Sequence, residues 1–265
     1  MSGSRREGAP IRVGFQRSTP PFSYATAAPD ERFEPIGYSV DVARMTLSKV
    51  FGGAHATPPW EAVEVTSATR EALLAEGRID IECGSTTITR ERLTRCAFSR
   101  PIFRTSHRIA VKPGALAAAS AVKVVGIRGS TSQAALESSG GVGFPYTFVG
   151  VDSIGAARDA FLADPGIGAM VADEVILRSL LGGGETRSGA SLLDVRLGGE
   201  CYGFMMRRRD REFLRAVDAA LEQVLTSDEY PEILSAWFVD SLPGLGFGLG
   251  MDMGDGTFMN RNSWN

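Results

Sequence analysis

Apolar and polar residues alternate over Ile11-Arg-Val-Gly-Phe-Gln16, the period of a half-buried strand, and the run stops in the loop signal Ser18-Thr-Pro-Pro21. Past Gly37 the spacing changes. Val40, Ala43, Leu47 and Val50 recur every three or four positions, which predicts an amphipathic helix. Ala62-Val-Glu-Val-Thr66 returns to the strand period, Ser67 has the chemistry of a cap for a helix over 67–74, and Ile79-Asp-Ile-Glu-Cys83 is a third strand. Strands alternating with helices predict a mostly parallel, helix-covered sheet.

The pattern then restarts. Val122-Lys-Val-Val-Gly-Ile127, Tyr146-Thr-Phe-Val-Gly-Val151 and Ala169-Met-Val-Ala172 read as strands, with helices predicted over 130–137 and 154–162. A second βαβαβ unit means a second lobe of the same α/β class. Arg108-Ile-Ala-Val-Lys-Pro113 and Leu193-Asp-Val-Arg-Leu-Gly198 are extended segments through which the chain would enter and leave that lobe, forming a two-strand hinge. A helix over 209–225 would return to the first lobe. The expected division is therefore residues 1–111 with 202–265 in a discontinuous lobe 1, and 112–201 in lobe 2. The tail over 243–256 is rich in glycine, but it follows no strand and opens no helix, so it lacks the context of a phosphate loop.

Composition narrows the classes. With 265 residues, 43% hydrophobic and 22% charged, the chain has the material for one or two ordinary globular cores. A net charge of −3 gives no electrostatic case for nucleic acid. Of 28 cationic residues only Lys49, Lys112 and Lys123 are lysines, and the arginines are spread along the chain rather than gathered on one face. No apolar run approaches the roughly 18 residues of a membrane span, and the first ten residues have no apolar core of a secretory leader. Taken alone, that start fits a cytosolic protein or a mature chain whose leader has been removed. Cys83, Cys96 and Cys201 form no metal-ligand spacing and are expected as free thiols, a Cys83–Cys201 bridge being the alternative. His55 and His107 stand isolated, which leaves little room for a metal site or a histidine-based triad. No cofactor or metal is expected.

Three polar clusters fall at strand-to-helix junctions, where open α/β sheets place ligands. They are Val65-Thr-Ser67-Ala-Thr-Arg70, Glu82-Cys-Gly-Ser85-Thr86-Thr87 running on to Arg92, and Gly126-Ile-Arg-Gly129-Ser130-Thr131-Ser132. Small hydroxyls, helix N-termini and guanidinium forks together suit a carboxylate. Each cluster alone also suits an ordinary helix cap beside a solvated arginine. Asp173, at the end of a very apolar strand, is either a cap or the partner of a ligand ammonium. Arg70 and Arg92 against Asp173 leave a site charge of about +1, which complements an amino acid bearing an extra carboxylate.

These residues, with Pro21-Phe-Ser-Tyr24, Gly37-Tyr-Ser-Val-Asp41, Ala97-Phe-Ser99, Val171-Ala-Asp-Glu174, Tyr202-Gly-Phe-Met205 and Ala236-Trp-Phe238, resemble the family 3 bacterial periplasmic solute-binding proteins. Within them the resemblance is to the glutamate/aspartate-binding proteins of amino-acid ABC transporters. It runs from about Ile11 to Phe238. It implies a periplasmic-binding-protein type II fold, a leader removed on export, a periplasmic or extracellular location, and a monomer that delivers free amino acid to a membrane permease. It further implies that Arg92 with Ser85, Thr86 and Thr87 surrounds the α-carboxylate, that Asp173 takes the α-ammonium, and that Ser67 and Arg70 face the ligand side chain. Ser130 and Thr131 would add contacts from the second lobe. Two positions depart from the acidic-ligand pattern. Gln16 stands where an arginine is expected, with Arg17 one residue later, and Ser153 lies where a ligand-facing histidine is expected. Both changes remove a cation. Glutamate or aspartate is the first expectation for the ligand, glutamine or asparagine the second.

Two other classes remain open on the sequence. One is a lyase on the same scaffold, resembling cyclohexadienyl dehydratase, which would need a proton donor in the cleft; Glu82 and Glu174 are the carboxylates near the clusters besides Asp173. The other is the ligand-binding module of a sensor receptor. The cleft is rich in binding groups and poor in catalytic ones, so a binding protein that is not an enzyme is expected.

Overall fold

The computed structural model describes residues 10–26, 28, 31–52, 60–118, 120–182 and 189–239. His55, the glycine-rich tail and the first nine residues lie outside them.

The first unit opens with β1 (Ile11–Gln16), a short hairpin of β2 (Ser18–Thr19) and β3 (Ser23–Tyr24), and α1 (Tyr38–Phe51). It continues through β4 (Trp60–Val65), α2 (Arg70–Ala75), β5 (Ile81–Glu82), α3 (Arg90–Arg95) and β6 (Cys96–Phe98). The second runs through β7 (Phe103–Val111), α4 (Ala115–Ala118), β8 (Val122–Ile127), α5 (Thr131–Ser138), β9 (Tyr146–Val151) and α6 (Ile154–Ala163). It ends with β10 (Ile167–Asp173), α7 (Glu174–Leu181), β11 (Ser191–Leu192) and β12 (Gly199–Tyr202). The chain then returns through β13 (Met205–Arg207), α8 (Arg211–Leu225) and α9 (Tyr230–Leu234).

Two five-strand paths result, β4-β1-β5-β13-β6 and β11-β7-β10-β8-β9. In each, the βαβαβ strands are parallel, as their hydrophobic periods predict: β1 pairs in parallel with β4 and β5, and β8 with β9 and β10. The flanking strands are antiparallel. β13 runs against β5 and β6, and β7 against β10, β11 and β12. The sheets are therefore mixed rather than uniformly parallel, because the chain crosses between them twice and each crossing reverses its direction.

β7 makes the first crossing. Its residues 103–106 pair with β12, and its residues 107–111 pair with β10. The segment 193–198, read above as extended, is an irregular connection between β11 and β12, though the Leu193 and Leu197 amides still donate to Ile109 and His107 carbonyls of β7. Phe22, Tyr38, Phe103, Tyr202 and Phe238 pack edge-on and stacked around this crossing, with centroids 4.8–6.2 Å apart. The Tyr38 hydroxyl, fully buried, donates to the Ile102 carbonyl at 2.6 Å and meets the Tyr230 hydroxyl at 2.7 Å, so its polar end is satisfied.

A charged cluster ties β1 to β13 across the first sheet. Asp80 accepts from the Arg12 backbone N–H at 3.0 Å, from the Arg12 guanidinium at 3.0 and 3.2 Å, and from Arg207 at 3.2 Å. Burial alone would raise its pKa, but the Arg12 contacts and then Arg207 outweigh it and hold the carboxyl below its ordinary value. The stability this gives is present above the unfolded-state pKa and is lost as pH falls through the folded one. Asp80→Ala is expected to cost about 1–2 kcal/mol, since it removes the acceptor of the Arg12 backbone N–H and guanidinium, while Arg207 keeps Asp210 and the Ile79 carbonyl. A thermal melt at neutral pH reads the loss, and the wild-type advantage should shrink in acid.

All three cysteines are free, Cys83 and Cys96 buried and Cys201 half-buried, so no Cys83–Cys201 bridge forms. No helix among the described residues is long and apolar enough to cross a membrane.

Candidate functional site

The carboxyl ends of β1, β4, β5, β8 and β10 converge on a cavity of about 280 Å³ lined from both sheets. From the first sheet come Gln16, Thr19, Ser67, Ala68, Arg70, Ser85, Thr87 and Arg92. From the second come the turn from Ile127 to Ser132, Val171 to Asp173, and the helix residues Ile154 and Ile176.

Local chemistry explains how each group is presented. The helix expected from Ser67 starts at Arg70 instead, because Thr66 and Thr69 close a turn by exchanging hydrogen bonds of 2.9–3.2 Å. That turn releases the Ser67 hydroxyl to the cavity, where it accepts from Gln16 Nε2 at 3.4 Å, while Ser85 donates to Gln16 Oε1 at 3.3 Å. Gln16 thus uses both ends of its amide to hold two hydroxyls. Thr89 caps α3 by accepting from the Arg92 N–H, and Arg92 Nη1 donates to the Thr87 carbonyl at 2.9 Å. Arg92 Nε lies 3.5 Å from Glu71, and the side chain is 13% exposed, on the cavity wall. On the other side Gly129 adopts φ +67°, a turn that residues with a Cβ rarely make, and Ser130 caps α5 by accepting from the Gln133 N–H.

Arg70 is buried, and its Nη1 donates to Thr86 Oγ1 at 2.6 Å. Burial lowers its pKa, the adjacent Glu82 partly offsets that, and Arg92 adds to it. Glu82 is buried as deeply, and burial raises its pKa against the pull of Arg70. Glu82 is thus an electrostatic neighbour of Arg70 rather than a hydrogen-bonded partner.

Nine of the twelve expected site residues line the cavity: Gln16, Ser67, Arg70, Ser85, Thr87, Arg92, Ser130, Thr131 and Asp173. The other three are placed elsewhere. Arg17 lies just past the end of β1 and off the cavity wall, where Nε meets Glu64 Oε2 at 2.7 Å and the guanidinium covers the Phe33 ring. It does not replace the cation missing at Gln16. Thr86 is buried beneath Arg70. Ser153 caps α6, accepting from the Ala156 N–H at 3.1 Å.

Three groups of the site were not singled out by sequence reasoning. Arg128 and Ser132 line the cavity within a motif of which only Ser130 and Thr131 were assigned. Arg128 is exposed at the rim, where Nη2 donates to the Gly150 carbonyl at 2.8 Å. The third is His107. Far from isolated, it faces Asp173 directly across the β7–β10 pair and is buried among polar partners. Nδ1 lies 2.8 Å from Asp173 Oδ1 and 3.0 Å from Ser132 Oγ, and Nε2 lies 2.8 Å from Glu200 Oε1. Tyr202 OH donates to Asp173 Oδ2, and Thr87 and Thr131 donate to Glu200 Oε2. The signal in the sequence was a histidine close before the apolar run Ile109-Ala-Val111 of an extended segment, where burial requires a partner. Of the carboxylates considered as proton donors, neither Glu82 nor Glu174 lines the cavity, and Glu174 is paired with Arg178 at 2.8 Å and Arg108 at 3.4 Å.

Two crossing-linked α/β sheets with a polar cavity between their strand ends are the two-lobed periplasmic-binding-protein type II architecture. Residues 11–240 match the bacterial extracellular solute-binding proteins, family 3, and the chain belongs to that family. It is 29% identical to an L-glutamate/L-aspartate-binding protein of Pseudomonas aeruginosa, over 94% of this chain and 83% of the relative. It is 28% identical to a glutamate/aspartate import solute-binding protein of Salmonella typhimurium, over 92% and 82%. Among solved structures it resembles an ancestral arginine-binding protein bound to glutamine, at TM-score 0.71 and 25% identity over 88% of this chain and 99% of that one.

Proposed function

We propose that this protein captures a free polar amino acid, glutamate or aspartate first and glutamine or asparagine second, outside the cytoplasm and passes it to the permease of an ABC transporter. The observation that carries the reading is the charge layout of the cavity, in which Arg70, Arg92 and Arg128 line walls that hold a single carboxylate, Asp173. In this reading the Arg92 guanidinium, with Ser85 and the Thr86-Thr87 backbone, takes the α-carboxylate. Asp173 takes the α-ammonium, and Ser67 and Arg70 face the side chain. Arg128 at the rim supplies from the second sheet a cation that Gln16 and Ser153 do not. The protein works as a monomer of two lobes, 1–111 with 202–265 and 112–201, that close because the ligand bonds to both. Ligand then favours the closed state by its differential affinity, the hinge closure of periplasmic binding proteins.

Calorimetric titration against the common amino acids tests this. Glutamate or aspartate should bind tightest. Arg70→Ala and Arg128→Ala should each weaken acidic ligands about tenfold more than amide ligands, because only the former lose a charge partner. Tight binding of a bulky apolar amino acid, or of none, would sink the reading. Steady turnover of prephenate or arogenate would favour the lyase instead.

A further inference from the structure

The His107 ring stands between two buried carboxylates, each 2.8 Å from one of its nitrogens. Asp173 and Glu200, as carboxylates, only accept, and they sit against different nitrogens of one ring. Nε2 hydrogen-bonds Glu200, Nδ1 hydrogen-bonds Ser132 Oγ, and Asp173 Oδ1 stands 2.8 Å from Nδ1 as an ion-pair contact. Two buried carboxylates against one ring favour its imidazolium form. Burial would lower the His107 pKa, but the hydrogen bonds and charges of Asp173 and Glu200 win and hold it at about 9. The cation is also placed at a mechanical junction. His107 is the residue at which β7 ends its pairing with β12 and begins its pairing with β10. Asp173 belongs to β10, Glu200 to β12 and Ser132 to α5, so three elements meet on this ring.

Each carboxylate has a second task. Asp173 lines the cavity, and its other oxygen is held by Tyr202. Glu200 accepts the hydroxyl protons of Thr87, from the first unit, and Thr131, from the second. We propose that His107 is a positioning residue of the ligand site, the shared counter-ion that holds Asp173 aimed at the cavity while fixing Glu200 beneath Thr87 and Thr131. This rests on the reading of Asp173 as the ammonium partner. Without the imidazolium, two buried carboxylates would share no cation, and relieving that repulsion means moving them apart. That displacement degrades the ammonium site.

The remaining charged groups around the ring do not substitute for it. Arg108, next on β7, is committed to Glu174 and to the Leu193 carbonyl. The guanidinia of Arg70, Arg92 and Arg128 line the cavity, where Asp173 faces them, and none is bonded to Glu200.

The test has one arm without ligand and one with it. The chain has two histidines, so His55→Gln leaves a single imidazole for a ring NMR titration. The ring should stay doubly protonated through neutral pH with a midpoint near 9; a midpoint near 6.5 would overturn the proposal whatever the ligand is. In calorimetry with the tightest-binding amino acid at pH 7, His107→Gln should weaken binding about 10- to 100-fold. Adding Glu200→Gln should restore most of that loss, because one carboxylate no longer needs a shared cation. A purely structural histidine would make the double variant worse than the single one, and that result, or wild-type affinity in His107→Gln, would also overturn it. Should His107→Gln fail to fold, the titration still decides. If the ring titrates as expected and no amino acid binds, the functional reading fails and the charge assignment stands.

Discussion

Arg92→Ala is expected to abolish measurable binding of every amino acid, a loss of at least about 1,000-fold. The reason lies in what the guanidinium is fixed by. Its Nη1 is held by the Thr87 carbonyl and its Nε lies near Glu71, so two of its donor directions are used to aim the rest at the cavity. A planar fork held in this way matches a carboxylate with two parallel hydrogen bonds. The α-carboxylate is common to all amino acids, so the loss should be uniform across ligands, in contrast to the selective losses at Arg70 and Arg128. Arg92→Lys should recover only part of the affinity, because an ammonium keeps the charge but not the fork. The Thr89 cap accepts from the backbone N–H of residue 92, which either substitution retains, so α3 should persist and circular dichroism should be unchanged. Binding of Arg92→Ala within about fivefold of wild type would remove this residue from the carboxylate role.

Much of this site was legible because it is local. Gly129, Ser130 and Thr131 form a turn and a cap within three consecutive residues, and both the hydroxyl chemistry and the place at the end of β8 follow from the sequence alone. The choice between Gln16 and Arg17 was not legible by alternation, because β1 ends at Gln16 and the rule does not carry past it; Gln16 lines the cavity and Arg17 pairs with Glu64. What was not legible depends on pairing distant in sequence. His107 and Glu200 are 93 residues apart, and only the side-by-side placement of β7, β10 and β12 makes them partners. The mixed character of the sheets has the same origin: β13 is three residues long, too short to show a period, yet it sets the antiparallel half of the first sheet. The Ser67 turn was missed for a different reason. Thr66, Ser67 and Thr69 are all good caps, and which one starts the helix depends on the Thr66–Thr69 bonds rather than on residue type.

The second large effect is expected at Asp173, and its signature differs from that of Arg92. Asp173→Asn keeps the shape of the side chain and removes its charge. It should weaken every amino acid by about 100-fold or more, because the ammonium loses its ionic partner. The substitution also disturbs the free protein. Asp173 accepts from Tyr202 and faces the His107 ring, both donors, and an amide presents one donor where two acceptors were. One buried donor-to-donor contact costs about 1–3 kcal/mol, which a thermal melt should register even without ligand. The feature that isolates the ammonium role is discrimination. Wild type should reject glutarate, which keeps both carboxylates of glutamate and lacks its amine, since the buried Asp173 charge would then face no cation from the ligand. In Asp173→Asn that penalty disappears, so glutamate should lose affinity while glutarate gains or holds it, and the preference between them should collapse. If both weaken in parallel, Asp173 shapes the cavity without contacting the amine, and its place at the end of β10 is that of a structural anchor for His107 and Tyr202.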